Sequence, residues 1–279
     1  MALLVALVVV AVCARILPGQ RIVDDAYITF RYARRIVEGD GFVYNRSERV
    51  LGTTTPLYTL LLAGLSAVTG SRDFPSLALA VNAVAGAVSV GLLFLLGARL
   101  VDHWAPPAAA ALIWAVAPYS VAFAVGGMET DLTVALLLAA SYLYLVERLQ
   151  GLAVLSALAL LARPDTALLL LPLWVGVAGG QKQLPLREGA LGLLVLAPWL
   201  IFATLWFGSP MPGSLAAKSA AYRLLPTTAL VRLVQHYSTP FFGNTLLGSR
   251  WQFIGLVVYL LLALLGALAW RWAERHLDA

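Results

Sequence analysis

Cysteine occurs once in the 279 residues, at Cys13, and histidine three times, at His103, His236 and His276. One thiol cannot close a disulfide within the chain, and the lack of paired His or Cys at ligand spacing argues against a zinc site. Charge is scarce as well: 12% of residues are charged against 61% hydrophobic, with a mean hydropathy of +0.86. Soluble domains carry about 25% charged residues, so an ordinary soluble fold is excluded. Nucleic-acid motifs are missing, and the net charge of +5 comes from loop arginines, which suit anionic headgroups or phosphates. Internal repeats, Ser/Gly linkers and low-complexity stretches are also lacking. What is there reads as an all-α polytopic membrane protein, one domain over residues 1–279, because apolar runs in hydrocarbon satisfy their backbone hydrogen bonds as helices.

Apolar stretches lie at 2–17, 57–69, 75–98, 105–124, 131–147, 149–162, 165–179, 189–207 and 253–271. The first reads as a retained span: no positive region precedes it, although Val12-Cys13-Ala14 mimics a cleavage site. A span takes roughly 17–25 residues, so 57–69 reads as a juxtamembrane helix. That leaves about eight spans with both termini cytoplasmic, and Arg99, Arg148, Lys182, Arg187, Arg271 and Arg275 in inner turns. Nine spans is the alternative. With eight, the loops 18–74 and 208–252, together with 127–131 and 163–165, face the same outer side.

The first of these loops is the long polar segment. It opens on Asp24 and Asp25 and continues through Arg31, Arg34 and Arg35. Asp24 is a natural N-cap, so the pattern predicts a helix over 25–38 closed by Gly39-Asp40-Gly41. Helical spacing puts Tyr27, Arg31 and Arg34 on one face beside the acids, with Ile28, Tyr32 and Ile36 as an apolar stripe. Such a helix lies on a membrane surface and presents acids and guanidinium groups to a substrate; a plain capped, solvated helix fits the charges equally.

The run Asp24-Asp25-Ala26-Tyr27-Ile28-Thr29-Phe30-Arg31-Tyr32-Ala33-Arg34, followed by Glu38-Gly39, Gly41, Val43-Tyr44-Asn45 and Glu48-Arg49-Val50, resembles the first outer loop of bacterial type C glycosyltransferases. The arabinofuranosyltransferase-like and mannosyltransferase-like subgroups are the nearest. The resemblance implies a multi-pass enzyme that uses a polyprenyl-phosphate sugar, with an acidic pair in this loop supplying the catalytic base. Leu51-Gly52-Thr53-Thr54-Thr55-Pro56 departs from the family's acidic residue and Gly-Tyr-Thr-Asn-Pro. Gly127-Met128-Glu129-Thr130 resembles a second family motif, whose acid sits near the first-loop acids. Arg163-Pro164-Asp165 resembles Arg-Pro-acid-Gly, with Thr166 for the glycine. The segment from Gly208 to Lys218 resembles a third pattern, in which Gly213 and Ser214 replace Asn and Thr while Lys218 is kept.

Each island also has a plain structural explanation. Glu129 and Asp131 suit a helix N-terminus through its dipole, Asp131 more so, with Thr130 as a cap. Arg163 and Asp165 could stitch a turn after Pro164 ends a helix; as a functional group, Arg163 would clamp phosphate with its planar fork. Lys218 is a second candidate cation or a snorkelling lysine. Arg232 and His236 read as interfacial anchors.

The expected function is an inverting glycosyltransferase on the outer face of the bacterial cytoplasmic membrane, moving a sugar from polyprenyl phosphate to a hydroxyl of a glycan, lipid or protein acceptor. Asp24 or Asp25 takes the proton, and Arg31, Arg34, Arg163 and Lys218 receive the donor phosphate. No cofactor is required; Asp24, Asp25 and Glu129 offer oxygen ligands for Mg, Mn or Ca. Larger relatives carry an outer domain, so a protein partner supplying one is an open expectation. The rivals are an accessory or binding subunit of the same architecture, and a lipid or polysaccharide transporter.

Overall fold

The computed structural model describes residues 2–46, 48–181 and 184–213. The chain divides into two compact units, Met1–Ala216 and Ala217–Ala279. In the second, only Thr227, Thr228, Val257, Leu260, Leu261 and Leu264 are described, all helical. Lys182, Lys218, Arg232, His236 and most of the span expected at 253–271 therefore lie outside the described residues.

Within the first unit the order is α1 (Ala2–Ile16), α2 (Asp24–Val37), α3 (Pro56–Thr69), α4 (Phe74–Leu100), α5 (Ala105–Val116), α6 (Pro118–Val125), α7 (Thr130–Leu145), α8 (Leu149–Ala162), a 3-10 turn (Pro164–Thr166), α9 (Ala167–Gln181) and α10 (Leu186–Phe207). No strand occurs among the described residues. Proline stands in the first turn of α3, α4, α5 and α6, where its missing N–H leaves no bond unmade. Asp73 caps α4 by accepting from the Ser76 amide at 3.2 Å, and α3 and α10 end on left-handed Gly70 and Gly208.

Helix length limits how many of these can cross a bilayer. The 27 residues of α4 run about 40 Å at 1.5 Å per residue, beyond a hydrocarbon core of about 30 Å. Among the described residues only α4 and α10 are long and apolar enough to cross a membrane singly, or three units if α5 and α6 form one bent span. The expectation of eight spans is met only in this coarser form. The 105–124 stretch is not one straight helix: it breaks at Ala117 and bends by 44°, because Pro118 offers no N–H and its ring clashes with the preceding turn. The 57–69 stretch is a 14-residue helix, α3, as its short length implies.

Small residues set the packing. Ala11, Ala78, Ala83, Gly86, Ser89, Ala111, Ala115, Ala140 and Ala157 are buried where helices meet, which lets backbones approach closely. In this way α1 packs on α4 and α5, α4 on α7, α7 on α8, and α8 on α10, while α2 lies across α3. Leu168, Leu169, Leu171, Leu193, Leu194 and Leu205 on α9 and α10 stay exposed, as a lipid-facing surface would.

Gly127 is the glycine whose freedom the fold needs most. Its φ is +78°, and an added Cβ would lie 2.9 Å from Phe30 and 3.1 Å from Ile22. Gly127→Ala is expected to lower stability by more than about 1 kcal/mol, read as a fall in melting temperature in detergent. Gly64→Ala, with open space around the new methyl, is the control expected to melt at or above the wild type.

Candidate active site

The segment before α2 is extended and laced to the α6–α7 turn: Arg21 N–H donates to the Val125 carbonyl at 2.9 Å and Val23 N–H to that of Gly126 at 3.1 Å. That turn is held from below. Asn82 Nδ2 donates to the carbonyls of Ala124 at 3.0 Å and Met128 at 2.9 Å, and the Tyr58 hydroxyl to that of Gly127 at 3.3 Å. Four elements thus converge where α2 begins. The helix starts one residue earlier than expected, at Asp24, and its N-cap is Val23, without a side-chain cap bond. Asp24 is therefore not the cap. It and Asp25 occupy the first turn, where the helix dipole favours both carboxylates without tying up their oxygens.

The expected polar face is present. Asp24, Asp25, Tyr27, Arg31, Arg34 and Glu38 are exposed, while Ala26, Phe30 and Ala33 pack into a core with Tyr58, Leu62 and Phe74. Of the expected apolar stripe, Tyr32 is buried and Ile28 and Ile36 are half-buried against the 42–51 loop. A recess of about 420 Å³ is lined by Tyr27, Phe30, Arg31, Arg34, Arg35, Glu38 and Tyr44.

The arginines of this recess differ in how they are held. Arg35 pairs with Glu38 at 2.8 Å and Asp40 at 3.1 Å, and Asp40 also takes Arg46 at 3.0 Å, which keeps its carboxyl below the usual range. Arg31 is held by neutral groups instead: Nε donates to the Tyr44 carbonyl at 3.0 Å, Nη2 to Asn45 Oδ1 at 2.7 Å, and the guanidinium lies 4.5 Å from the Tyr44 ring centre. Arg34 sits 5.9 Å from the Phe74 ring centre. Among the described residues neither Arg31 nor Arg34 meets a carboxylate, so both charges are free to receive an anion.

Glu129 and Arg163, far apart in sequence, are brought together. Arg163 Nη1 donates to Glu129 Oε1 at 2.9 Å, while Nε and Nη2 form a fork to the two oxygens of Asp165 at 3.0 and 2.8 Å. The turn-stitching pair is therefore real, and any phosphate reaching Arg163 competes with two carboxylates. Glu129, not Thr130, is the N-cap of α7. Burial pushes the Glu129 carboxyl above the usual carboxylate range, and Arg163 counteracts this only in part. An acid whose folded pKa is raised binds more protons folded than unfolded, so its contribution is greatest below its ordinary pKa of about 4.3 and is lost as pH rises through the folded value. Melting curves against pH are expected to show this decline in wild type, extended to higher pH in Arg163→Met and absent in Glu129→Gln.

Two segments that depart from the family pattern meet each other. Gly213 N–H donates to the Leu51 carbonyl at 2.9 Å, and Trp206 Nε1 to that of Phe42 at 3.3 Å, with Arg49 stacked 4.1 Å from the Trp206 ring centre. Thr53, Thr55 and Thr29 form a buried hydroxyl chain beneath them. Asp24 shares its helix face with Arg31 and Arg34, while Asp25 lies about 100° round the helix from it; among the described residues the two acids bond to neither Glu129 nor Arg163. Nor do three His, Cys, Asp or Glu side chains converge as metal ligands among those residues.

Sequence reasoning missed the partners that hold the site. Asn82 and Tyr58 sit in apolar runs, where nothing but their polarity marks them. Asp131, taken for a helix-dipole acid, is buried and bonded to Arg15, which the sequence shows only as the end of the first apolar run.

No family model matches the chain and no solved structure does. Over 194 residues it is 32% identical to a terminal beta-(1->2)-arabinofuranosyltransferase of Mycobacterium tuberculosis (strain ATCC 25618 / H37Rv), an alignment covering 66% of this chain and 29% of that protein. The chain is thus similar to a glycosyltransferase. It spans 29% of that relative's length, and the similarity agrees in class with the resemblance seen in the first loop.

Proposed function

We propose that the chain is a membrane glycosyltransferase of type C architecture that moves a sugar, arabinofuranose or mannose among the candidates, from a polyprenyl-phosphate donor to an acceptor hydroxyl on the outer face of the cytoplasmic membrane. The observation that carries this is the exposed polar side of α2: among the described residues the Asp24 and Asp25 carboxylates have no hydrogen-bond partner, and Arg31 and Arg34, which line an open recess, meet no carboxylate. From Asp24 to Arg31 the helix rises about 10 Å, and side chains on a helix lean toward its N-terminus, so the guanidinium groups reach back toward Asp24. A sugar fits between. The acceptor oxygen attacks the anomeric carbon, its proton passes to Asp24 or Asp25, the bond to phosphate oxygen breaks, and the electron pair leaves on a phosphate neutralised by Arg31 and Arg34. A single displacement of this kind inverts the anomeric carbon. Similarity to an arabinofuranosyltransferase supports the class, and the all-helical, apolar build supports the membrane setting.

The test is radiolabelled transfer from a panel of polyprenyl-phosphate sugars in membranes expressing the wild type or Asp24→Asn with Asp25→Asn. Transfer by the wild type alone places the chemistry on α2 and identifies the sugar. Parallel rates with a chelator and with added Mg2+ or Mn2+ decide whether Asp24, Asp25 and Glu129 also hold a hard cation. A second reading, an accessory subunit that binds polyprenyl phosphate, draws on Arg163, whose donors are already engaged by carboxylates. It takes over if the wild type transfers nothing yet retains the lipid phosphate.

A further inference from the structure

Arg15 is fully buried, as is Asp131, and its guanidinium touches five helices. Nε donates to Asp131 Oδ2 at 2.6 Å on α7, and Nη1 to the carbonyls of Ala11 on α1 at 3.1 Å and Ala115 on α5 at 3.2 Å. Nη2 donates to Ser120 Oγ on α6 at 2.5 Å. On α4 it lies against Gly86, where an added Cβ would fall 2.1 Å from Nε. Ala115 is in the last turn of α5, whose final carbonyls have no partner in the helix once the chain breaks at Ala117. Arg15 therefore closes the break, joins α5 to α6 through Ser120, and fixes α7 through Asp131.

Both ends of the turn that seats α2 hang on this one group. From Ser120, α6 leads to Val125 and Gly126, whose carbonyls accept from Arg21 and Val23 just before Asp24. From Asp131, two residues back along the chain lies Glu129, bonded to Arg163. We infer that Arg15, with Asp131 and the space left by Gly86, is a positioning group that sets the acidic pair of α2 and Glu129 relative to the bundle. It touches no substrate. The inference rests on the proposed reaction only for its kinetic consequence; the structural link stands apart from it.

Two variants disturb the group in different ways: Gly86→Ala pushes the guanidinium aside with every charge kept, and Arg15→Met with Asp131→Leu removes both charges together. Hydrogen exchange of the full-length protein in detergent micelles is followed by mass spectrometry for peptides covering 20–27 and, at a distance, 152–160. In both variants exchange in 20–27 is expected to rise at least tenfold more than in 152–160, and kcat for transfer to fall at least tenfold with donor KM within about twofold. Arg15→Lys, which keeps charge but not the fork, should fall between. Unchanged exchange in 20–27 overturns the inference, and so does equal loss of protection in both peptides of the double variant, which would make the pair a general stabiliser of the bundle. If the wild type transfers no sugar, the proposed reaction fails, while selective loosening of 20–27 still upholds the positioning role.

Discussion

Asp24→Asn with Asp25→Asn is expected to reduce sugar transfer by about 10²–10⁴-fold, the range that a positioned general base contributes. The pair is exposed at the first turn of α2, so its loss costs little folding energy beyond the helix-dipole contribution, about 0.3–1 kcal/mol per acid. Activity and stability should therefore separate: transfer collapses while the melting temperature moves by a few degrees at most. The single variants assign the base. The one that alone reproduces the double loss takes the proton, and its neighbour, bearing charge but no proton, should cost far less. Donor retention is a further discriminator, because Arg31 and Arg34 remain in place and polyprenyl phosphate should still bind. A double variant that transfers at the wild-type rate would remove α2 from the chemistry altogether.

The polar face of α2 was legible because exposure leaves a residue's chemistry on view. Asp24, Tyr27, Arg31 and Arg34 repeat at helical spacing, and nothing in the fold overrides that period. The same is true of the turn at Arg163-Pro164-Asp165. What stayed hidden are contacts between distant segments. Asn82, Tyr58 and Arg15 each lie in an apolar run, and their partners at Ala124, Met128, Gly127 and Asp131 are 42–116 residues away. No local pattern encodes such pairs. Whether an apolar run stays one straight helix is hidden for a related reason: hydropathy measures the length of the run, whereas Pro118 bends the 105–124 stretch. The N-cap of α2 was misplaced by one residue because the backbone bonds from Arg21 and Val23 to the α6–α7 turn, not a side-chain cap, fix where the chain enters the helix.

Arg15→Met is expected to be among the most destabilising single substitutions in the bundle, at about 3–5 kcal/mol, because it strands Asp131 as an uncompensated buried charge. Methionine replaces the aliphatic stem of the arginine, so lost packing is a small part of the effect. Arg15→Met with Asp131→Leu removes that charge and leaves as unmet acceptors only the Ser120 hydroxyl and the freed Ala115 carbonyl, at about 1–3 kcal/mol each if they stay dry. The double variant should therefore recover part of the loss, and chemical denaturation in detergent micelles reads the difference. Its size separates two origins of the stabilisation. Recovery of most of the loss assigns it to the ion pair, since an apolar pair of similar volume then serves the bundle nearly as well. If the double is as unstable as Arg15→Met, the dominant contribution is the hydrogen bonding that closes the break between α5 and α6, and the carboxylate of Asp131 serves chiefly to hold the guanidinium over that break.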